Sequence, residues 1–593
     1  TVQMWLATDP QGGSSIDKAE SAFFREIDAV RRETPTEGEM ARARAQLEKR
    51  FFDETAAYLG RARALARAEA SPVGFRLALD YRNQIRAVRA EDVQRVAAKY
   101  FTLANTSVHE YEPQGAIART FDAERFAATV TTWAPTFAQP VDGGKVRPAD
   151  AISSMAPVSQ GFERPPEQQL SFESIQPLPI RDFSTLNGPR AYVREEHAQP
   201  TVAVALLFQG GSLVEDEATS GTTELMLRSI LYGTPRRIGA NIAQELDQLG
   251  AKVDVVVEPD FFGFVLSVLS RNTDRALKLL RDVIEDPAFR DADVQRARLT
   301  QIAFIREGRD SSLARSRELL LQSLFSGHAY SLPPHGREEV VLKLTGEQVR
   351  EWHSRAIKRQ LPLAIIVGDT SGSALVSGQL AEGFKRRDLD KSLEVKVPQP
   401  KGGERAESRR LEQTTAAIGF AGPKAESDDL IALELIEAIM NDDGGRLLRE
   451  LRDKQGLALA ATLGHEALFA AGAIYARLVT PPGNEQRARA ALLAEFERIT
   501  RTPLSRDELE GGRRAAIASK LALLQSQSAH ALEYARAIFY NREPSIIDNF
   551  QERVSKVTAD DIKRVAALYF KPSAVAAGVV RGVATVPPQP LPK

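Results

Sequence analysis

Metal chemistry is the first thing the side chains allow or forbid. The chain has no cysteine and seven histidines: His109, His197, His328, His335, His353, His465 and His530. A catalytic zinc held by a helix takes two imidazoles one turn apart, a further carboxylate ligand, and a glutamate that accepts a proton from the metal-bound water. No two of these histidines stand four residues apart, so neither H-x-x-E-H nor H-E-x-x-H occurs in the chain. Lack of cysteine removes disulfides, thiolate metal sites and a thiol nucleophile. No G-x-S-x-G element offers a serine nucleophile. Gly444 and Gly445 lack the strand–glycine loop–helix context of a phosphate site and read as a turn.

One stretch nevertheless has the frame of a zinc helix. Gly221–Thr234 reads GTTELMLRSILYGT. It resembles the inverted zinc-motif helix of the pitrilysin/insulinase (M16) peptidases, which usually reads close to G-x-A-H-F-L-E-H-M-x-F-x-G-T. On that register the two histidine ligands fall on Glu224 and Arg228, and the general-base glutamate falls on Leu227. The family's further carboxylate ligand lies in a helix that resembles Val294–Arg306, where Gln301 is the matching position. Arginine cannot deprotonate, so Arg228 would set a permanent cation where a divalent metal should sit. The resemblance therefore implies a copy with no catalytic residue, no metal ligand and no cofactor of its own. Zinc is expected in a missing or partner catalytic domain.

A second match lies further along. Asp443–Ala460, DGGRLLRELRDKQGLALA, resembles the family stretch G-x-R-L-x-x-x-L-R-x-x-x-G-L-A-Y, whose arginine and tyrosine help to position substrate. Arg452 takes the arginine's place as a possible substrate-positioning residue. Leu459 takes the tyrosine's place and can neither donate a hydrogen bond nor stabilise an oxyanion. Arg446 and Arg449 are spaced to pair with Glu450 or Asp453 along the helix. His465, beside Glu466, reads as a surface or satisfied histidine, and His328, Tyr330 and His335 read as loop architecture stiffened by Pro333 and Pro334.

The elements that must position these residues are organised by an internal repeat. Val88–Phe101, VRAEDVQRVAAKYF, returns as Val557–Phe570, VTADDIKRVAALYF, and more weakly as Leu344–Ser354, LTGEQVREWHS. Each copy reads as an amphipathic helix: Thr558 is a plausible N-cap, and Ile562, Val565, Ala566 and Tyr569 share one face. A short strand follows each helix, at Ser107–His109, Leu363–Val367 and Val575–Val580. Three copies imply three related units. The resemblance gives the fold class as α+β, with repeated M16-type (LuxS/MPP-like) domains of mixed or antiparallel sheet and helices packed on one face.

The expected domain limits follow. Residues 1–113 match only the later half of an M16-type domain, with one early strand (VQMWLAT), helices at Ile16–Arg32, Glu37–Ala70 and Ala90–Phe101, and one closing strand. Residues 114–178 are rich in proline, glycine and polar side chains and read as a linker. Residues 179–390 read as an inactive M16-type domain in which the strands AYVRE and TVAVALLFQGGS pair, and 391–593 as a C-terminal M16-type domain. The incomplete first segment implies missing chain or another subunit.

Composition narrows the partners. With 593 residues, 78 basic and 79 acidic side chains and a net charge of −1, the chain sets up no global field for nucleic acid or anionic lipid. No apolar run is long enough for a membrane helix, and Thr1–Pro10 is not a signal peptide. The expectation is a non-catalytic portion or subunit of an M16-type zinc peptidase. It would bind and enclose peptides for a catalytic domain lying upstream or on a separate chain. The alternative is a non-enzymatic assembly subunit with the same fold. A periplasmic or other extracytoplasmic location is favoured.

Overall fold

The computed structural model describes residues 16–71, 74–108, 123–135, 178–184, 188–371, 395–441 and 444–583, together with Leu380 and Phe384. The chain forms two compact units, Thr1–Ser171 and Phe172–Lys593. No helix among the described residues is long and apolar enough to cross a membrane.

The described part of the first unit is helical. Thr36 and Glu39 form a reciprocal capping box that starts the helix Glu37–Ala56. The helix expected to continue to Ala70 breaks at Ala57, which is extended (φ −77°, ψ 141°), and a new helix runs Tyr58–Glu69. Gly60 permits the break, because a Cβ there would lie 1.8 Å from the Glu54 carbonyl oxygen. Two further helices went unread in the sequence: Arg76–Ala87, and Ala123–Trp133 within the expected linker. The latter buries Val130 against Phe24 and Ile27 of the helix Ile16–Arg32. The expected strand VQMWLAT and His109 lie outside the described residues, and Ser107 and Val108 take no strand pairing.

The second unit has two lobes, each built on one sheet. The first sheet contains β1 (Arg181–Asp182), β2 (Arg190–Glu195), β3 (Thr201–Gln209), β4 (Lys252–Val257), β5 (Phe261–Leu269) and β6 (Leu363–Gly368), in the order β1-β2-β6-β3-β5-β4. The second contains β7 (Gly403–Arg409), β8 (Thr414–Gly422), β9 (Ala460–Ala467), β10 (Gly472–Thr480) and β11 (Ala576–Gly582), in the order β7-β11-β8-β10-β9. The orders are the same once β1 is set aside. In each lobe the last strand inserts beside the first and parallel to it, and every other pairing is antiparallel. AYVRE and TVAVALLFQ are therefore not partners, because β6 lies between them. The repeat helices lead into these inserted strands: Gly346–Ala356, capped by Thr345 with Gln348, precedes β6, and Ala559–Tyr569, capped by Thr558 with Asp561, precedes β11.

Each sheet packs its own lobe's helices on one face. In the first lobe Val202, Val204, Leu206 and Phe208 of β3 meet Leu225, Leu227 and Ile230 of the helix Thr222–Ile230. The opposite face is covered by the other lobe. Ala205, Leu207, Val265, Ile365 and Val367 pack on Ala531, Tyr534, Ala535 and Ile538 of the helix Gln527–Phe539. Reciprocally, Leu320, Leu321 and Leu324 of the first lobe's helix Ser312–Leu324 cover Ala417, Ala473 and Ala576 of the second sheet. Gly578 lets that helix approach, since a Cβ there would meet the Ser316 carbonyl at 2.1 Å. Burial on both faces explains why β3 and β8 are near-continuous apolar runs rather than alternating ones.

Polar contacts fix the exchange. Asp260, in the β4–β5 turn, accepts hydrogen bonds from Tyr330 Oη (2.6 Å), Tyr540 Oη (2.9 Å) and the backbone N–H of Phe469 (2.8 Å) in the β9–β10 turn. Burial pushes its carboxyl upward, against these three donors. Arg194 of β2 reaches the exchanged helix: its Nη1 lies 3.0 Å from His530 Nε2 and 2.8 Å from Tyr534 Oη there, and 3.0 Å from Asp548 Oδ1 beyond it. A guanidinium only donates, so His530 Nε2 can bond to it only as an acceptor, with the ring neutral. Burial, then the Arg194 charge, lower its pKa from 6.5 to about 4. The unfolded chain binds that proton first, so the folded state loses stability as pH falls from 6.5 towards about 4, by on the order of 3 kcal/mol when complete. Thermal melts at stepped pH should show this loss, and His530→Gln should flatten it. An unchanged slope in that variant would contradict the assignment.

Candidate functional site

The helix Thr222–Ile230 begins at Gly221, whose φ of 92° suits glycine. The buried Glu215 carboxylate accepts from the Gly221 and Thr223 backbone N–H groups, both at 2.7 Å, and satisfies the helix start. Burial raises the Glu215 pKa against those bonds. Leu225, Leu227 and Ile230 enter the core, so the general-base position holds a side chain wholly inside the sheet–helix layer.

Glu224 and Arg228 are one turn apart on the other side of this helix and bind each other. Arg228 Nε and Nη2 lie 2.7 and 2.6 Å from Glu224 Oε1. His335 Nδ1 lies 2.8 Å from the second oxygen, Oε2. Phe304 completes the group: the Arg228 guanidinium sits 4.6 Å over its ring, and the His335 ring stacks on it at 5.6 Å. The Glu224 side chain is only 2% exposed, so this carboxylate depends on its two partners rather than on water.

Gln301 is drawn to the same corner for a different purpose. Its Nε2 donates to the carbonyls of Gly221 (2.9 Å) and His335 (2.8 Å), while Oε1 is buried without a hydrogen-bond partner in the structure. It ties the His335 loop to the start of the motif helix. Two glycines allow the contact: at Gly336 (φ 85°) a Cβ would lie 2.3 Å from the Gly221 Cα.

This donor set does not fit zinc. Glu224 is its one anionic group, already bound to a cation that cannot leave as a proton, and Leu227 and Gln301 point elsewhere. Among the described residues no group of three or more histidine, aspartate or glutamate side chains is arranged to hold a metal ion. The structure thus brings Glu224, Arg228 and Gln301 to one corner and leaves Leu227 in the core. It adds His335 and Phe304, which the sequence did not assign to the site.

Arg452 lies in the second lobe, in a wide-turned segment Arg449–Lys454, and donates to its neighbour Asp453 Oδ1 at 2.7 Å. Leu459 is exposed just before β9. Arg446 and Arg449 turn away from Glu450 and Asp453 to Glu508, at 3.0 and 3.7 Å, because the helix Arg506–Leu523 packs beside them. Burial works to raise the Glu508 pKa, but Arg446 and the Ser505 cap hold it down at about 2. His328 is held within its loop: Nδ1 accepts from the Tyr330 N–H at 3.2 Å, and Nε2 lies 2.8 Å from the Lys396 carbonyl.

A cavity of about 850 Å³ opens elsewhere, between the lobes. It lies beside the β4–β5 turn, the end of β9, and the helices Leu430–Asn441, Arg506–Leu523 and Gln527–Phe539. None of Glu224, Arg228, Gln301 or Arg452 lines it. Its walls carry ion pairs: Arg317 with Glu466 (2.6 Å), Arg536 with Glu258 (2.8 Å) and Glu533 (2.6 Å), and Lys520 with Glu533 (3.0 Å). His465 is a satisfied histidine, 2.8 Å from Glu437 Oε2. Burial opposes its charge, yet Glu437 keeps its pKa above the ordinary histidine value.

Residues 190–334 match the family model described as insulinase (peptidase family M16), and residues 343–516 match the one described as peptidase M16 inactive domain. A Rickettsia felis protein named an uncharacterized zinc protease is 22% identical over 377 residues, covering 62% of this chain and 90% of that protein. The mitochondrial cytochrome b-c1 complex subunit 1 of Caenorhabditis elegans is 22% identical over 263 residues, 43% of this chain and 55% of that one. A crystal structure of a peptidase M16 inactive domain from Pseudomonas fluorescens matches with a TM-score of 0.63 at 21% identity, over 69% of this chain and 100% of the other. At that identity the structural likeness speaks for the fold.

Removing one partner of a buried ion pair strands the other charge. Arg228→Ala should therefore destabilise the second unit by about 3 kcal/mol. The double variant Glu224→Gln/Arg228→Met should recover most of that loss, because no charge is left behind. Denaturant midpoints measure both. A neutral Arg228→Ala would contradict the arrangement.

Proposed function

Because the chain belongs to the insulinase (M16) peptidase family, we propose that it is a non-catalytic portion or subunit of an M16-type zinc peptidase, one that binds and encloses peptides. The observation that carries this reading is the Glu224–Arg228 ion pair on the zinc-motif helix, where the family resemblance asks for two imidazoles. The metal and the water-activating glutamate then belong to a catalytic M16 domain, either upstream or on a partner chain. Work outside the reducing cytoplasm is part of the proposal.

Peptide binding would use main-chain pairing. The outer edges of β4 and β9 have no strand beside them among the described residues, and such an edge offers N–H and C=O groups to an extended peptide. β4 alternates in exposure along Lys252–Val255, so successive side chains of an added strand would meet unlike surroundings. Closure over the peptide would exclude water from the distant catalytic centre. Arg452, partly exposed beside Asp453, is the side chain of this chain best placed by its motif to touch substrate.

The similarity to cytochrome b-c1 complex subunit 1 favours a second reading, an assembly subunit. The polar cavity and unpaired strand edges weigh towards peptide handling instead. Mixing the purified chain with a zinc-bearing M16 partner and an unfolded peptide distinguishes them. The peptide-handling reading expects a complex and a several-fold rise in hydrolysis over the partner alone. A stable complex with no such rise would favour assembly, and no complex would contradict both.

A further inference from the structure

The cavity between the lobes holds two guanidinium groups that make no ion pair with the carboxylates around them. Every other Lys or Arg side chain on its walls has a carboxylate: Arg317 has Glu466, Lys520 has Glu533, and Arg536 has Glu258 and Glu533. Arg542 and Arg553 also line it, and among the described residues neither has a carboxylate within 4.0 Å. Burial, then the Arg553 charge, hold Arg542 below the ordinary arginine value, and the acids acting on it, Glu434 and Asp428, oppose this only from beyond ion-pair distance. Arginine keeps its charge at any physiological pH, so such a pair is relieved by an anion rather than by losing a proton.

The rest of the cavity says what that anion is attached to. Leu430, Ile431, Ile547 and Phe550 supply apolar wall beside the arginines. The volume of about 850 Å³ falls in the usual range for small-ligand sites, and the position between two lobes is a usual one. Planar guanidinium forks match the two oxygens of a carboxylate.

We propose that this cavity binds the C-terminal carboxylate of a short peptide, with Arg542 and Arg553 holding the carboxylate and the apolar wall taking the last side chain. The proposal rests on the peptide-handling reading. The site retains the end of a peptide within the molecule, apart from the strand edges that would pair with its middle.

The test uses the chain alone, so its result is separate from that of the partner-mixing experiment. An N-terminally fluorescein-labelled hexapeptide ending in phenylalanine is titrated by anisotropy as the free acid and as the C-terminal amide. The free acid should bind at least ten-fold more tightly, and added salt should weaken it. Arg542→Gln/Arg553→Gln should abolish the difference between acid and amide, while Arg542→Lys/Arg553→Lys should keep part of it. Melting temperatures confirm that each variant is folded. No binding of the free acid, equal binding of acid and amide, or an acid preference that survives the double glutamine variant would each overturn the proposal.

Discussion

The motif helix depends on a single buried carboxylate held by an arginine and a histidine. Glu224 is almost wholly withdrawn from water, and Arg228 and His335 each take one of its oxygens. A buried charge of this kind persists only while its partners stay in place. The local structure is arranged to keep them there: the Phe304 ring packs against both Arg228 and His335, and Gln301 with the Gly221–Gly336 contact holds the His335 loop against the helix. The helix that frames zinc chemistry in the family has become a structural joint.

The second constraint is the exchange of helices between the lobes. Each sheet would leave an apolar face in water if the other lobe were removed, at roughly 1.5–3 kcal/mol for every large side chain exposed. The exchange makes Phe172–Lys593 one cooperative body rather than two tethered domains. Asp260, which is buried, and Arg194, which is half-buried, then fix the angle between the sheets, because the bonds of each reach the other lobe. A fixed angle is what gives the interlobe cavity a defined shape, and β4 and β9 each end one side of their sheet among the described residues.

Much of this was legible in the residues. The repeat copies marked the helices Ala90–Tyr100, Gly346–Ala356 and Ala559–Tyr569, and Thr558 announced the start of the last of them. The register of Gly221–Thr234 put Glu224 and Arg228 one turn apart, where they do meet. What the chain did not disclose was long-range. Nothing in AYVRE or TVAVALLFQ says that β6 will come between them, since strand order is set by the whole lobe. His335 reaches Glu224 across 111 residues, and Glu508 draws Arg446 away from its helical neighbours across 62, because packing outranks local spacing. The break at Ala57 was also hidden, as alanine has no preference against helix and the cause is the close approach at Gly60.

The central claim is that this polypeptide keeps the framework of a zinc peptidase while its motif helix is closed by an internal ion pair. Equilibrating the purified chain with excess zinc, removing the unbound ion, and measuring metal per chain beside peptide hydrolysis tests it most directly. The account expects zinc well below one equivalent and no hydrolysis that a chelator abolishes. One tightly held zinc per chain with chelator-sensitive cleavage would contradict it.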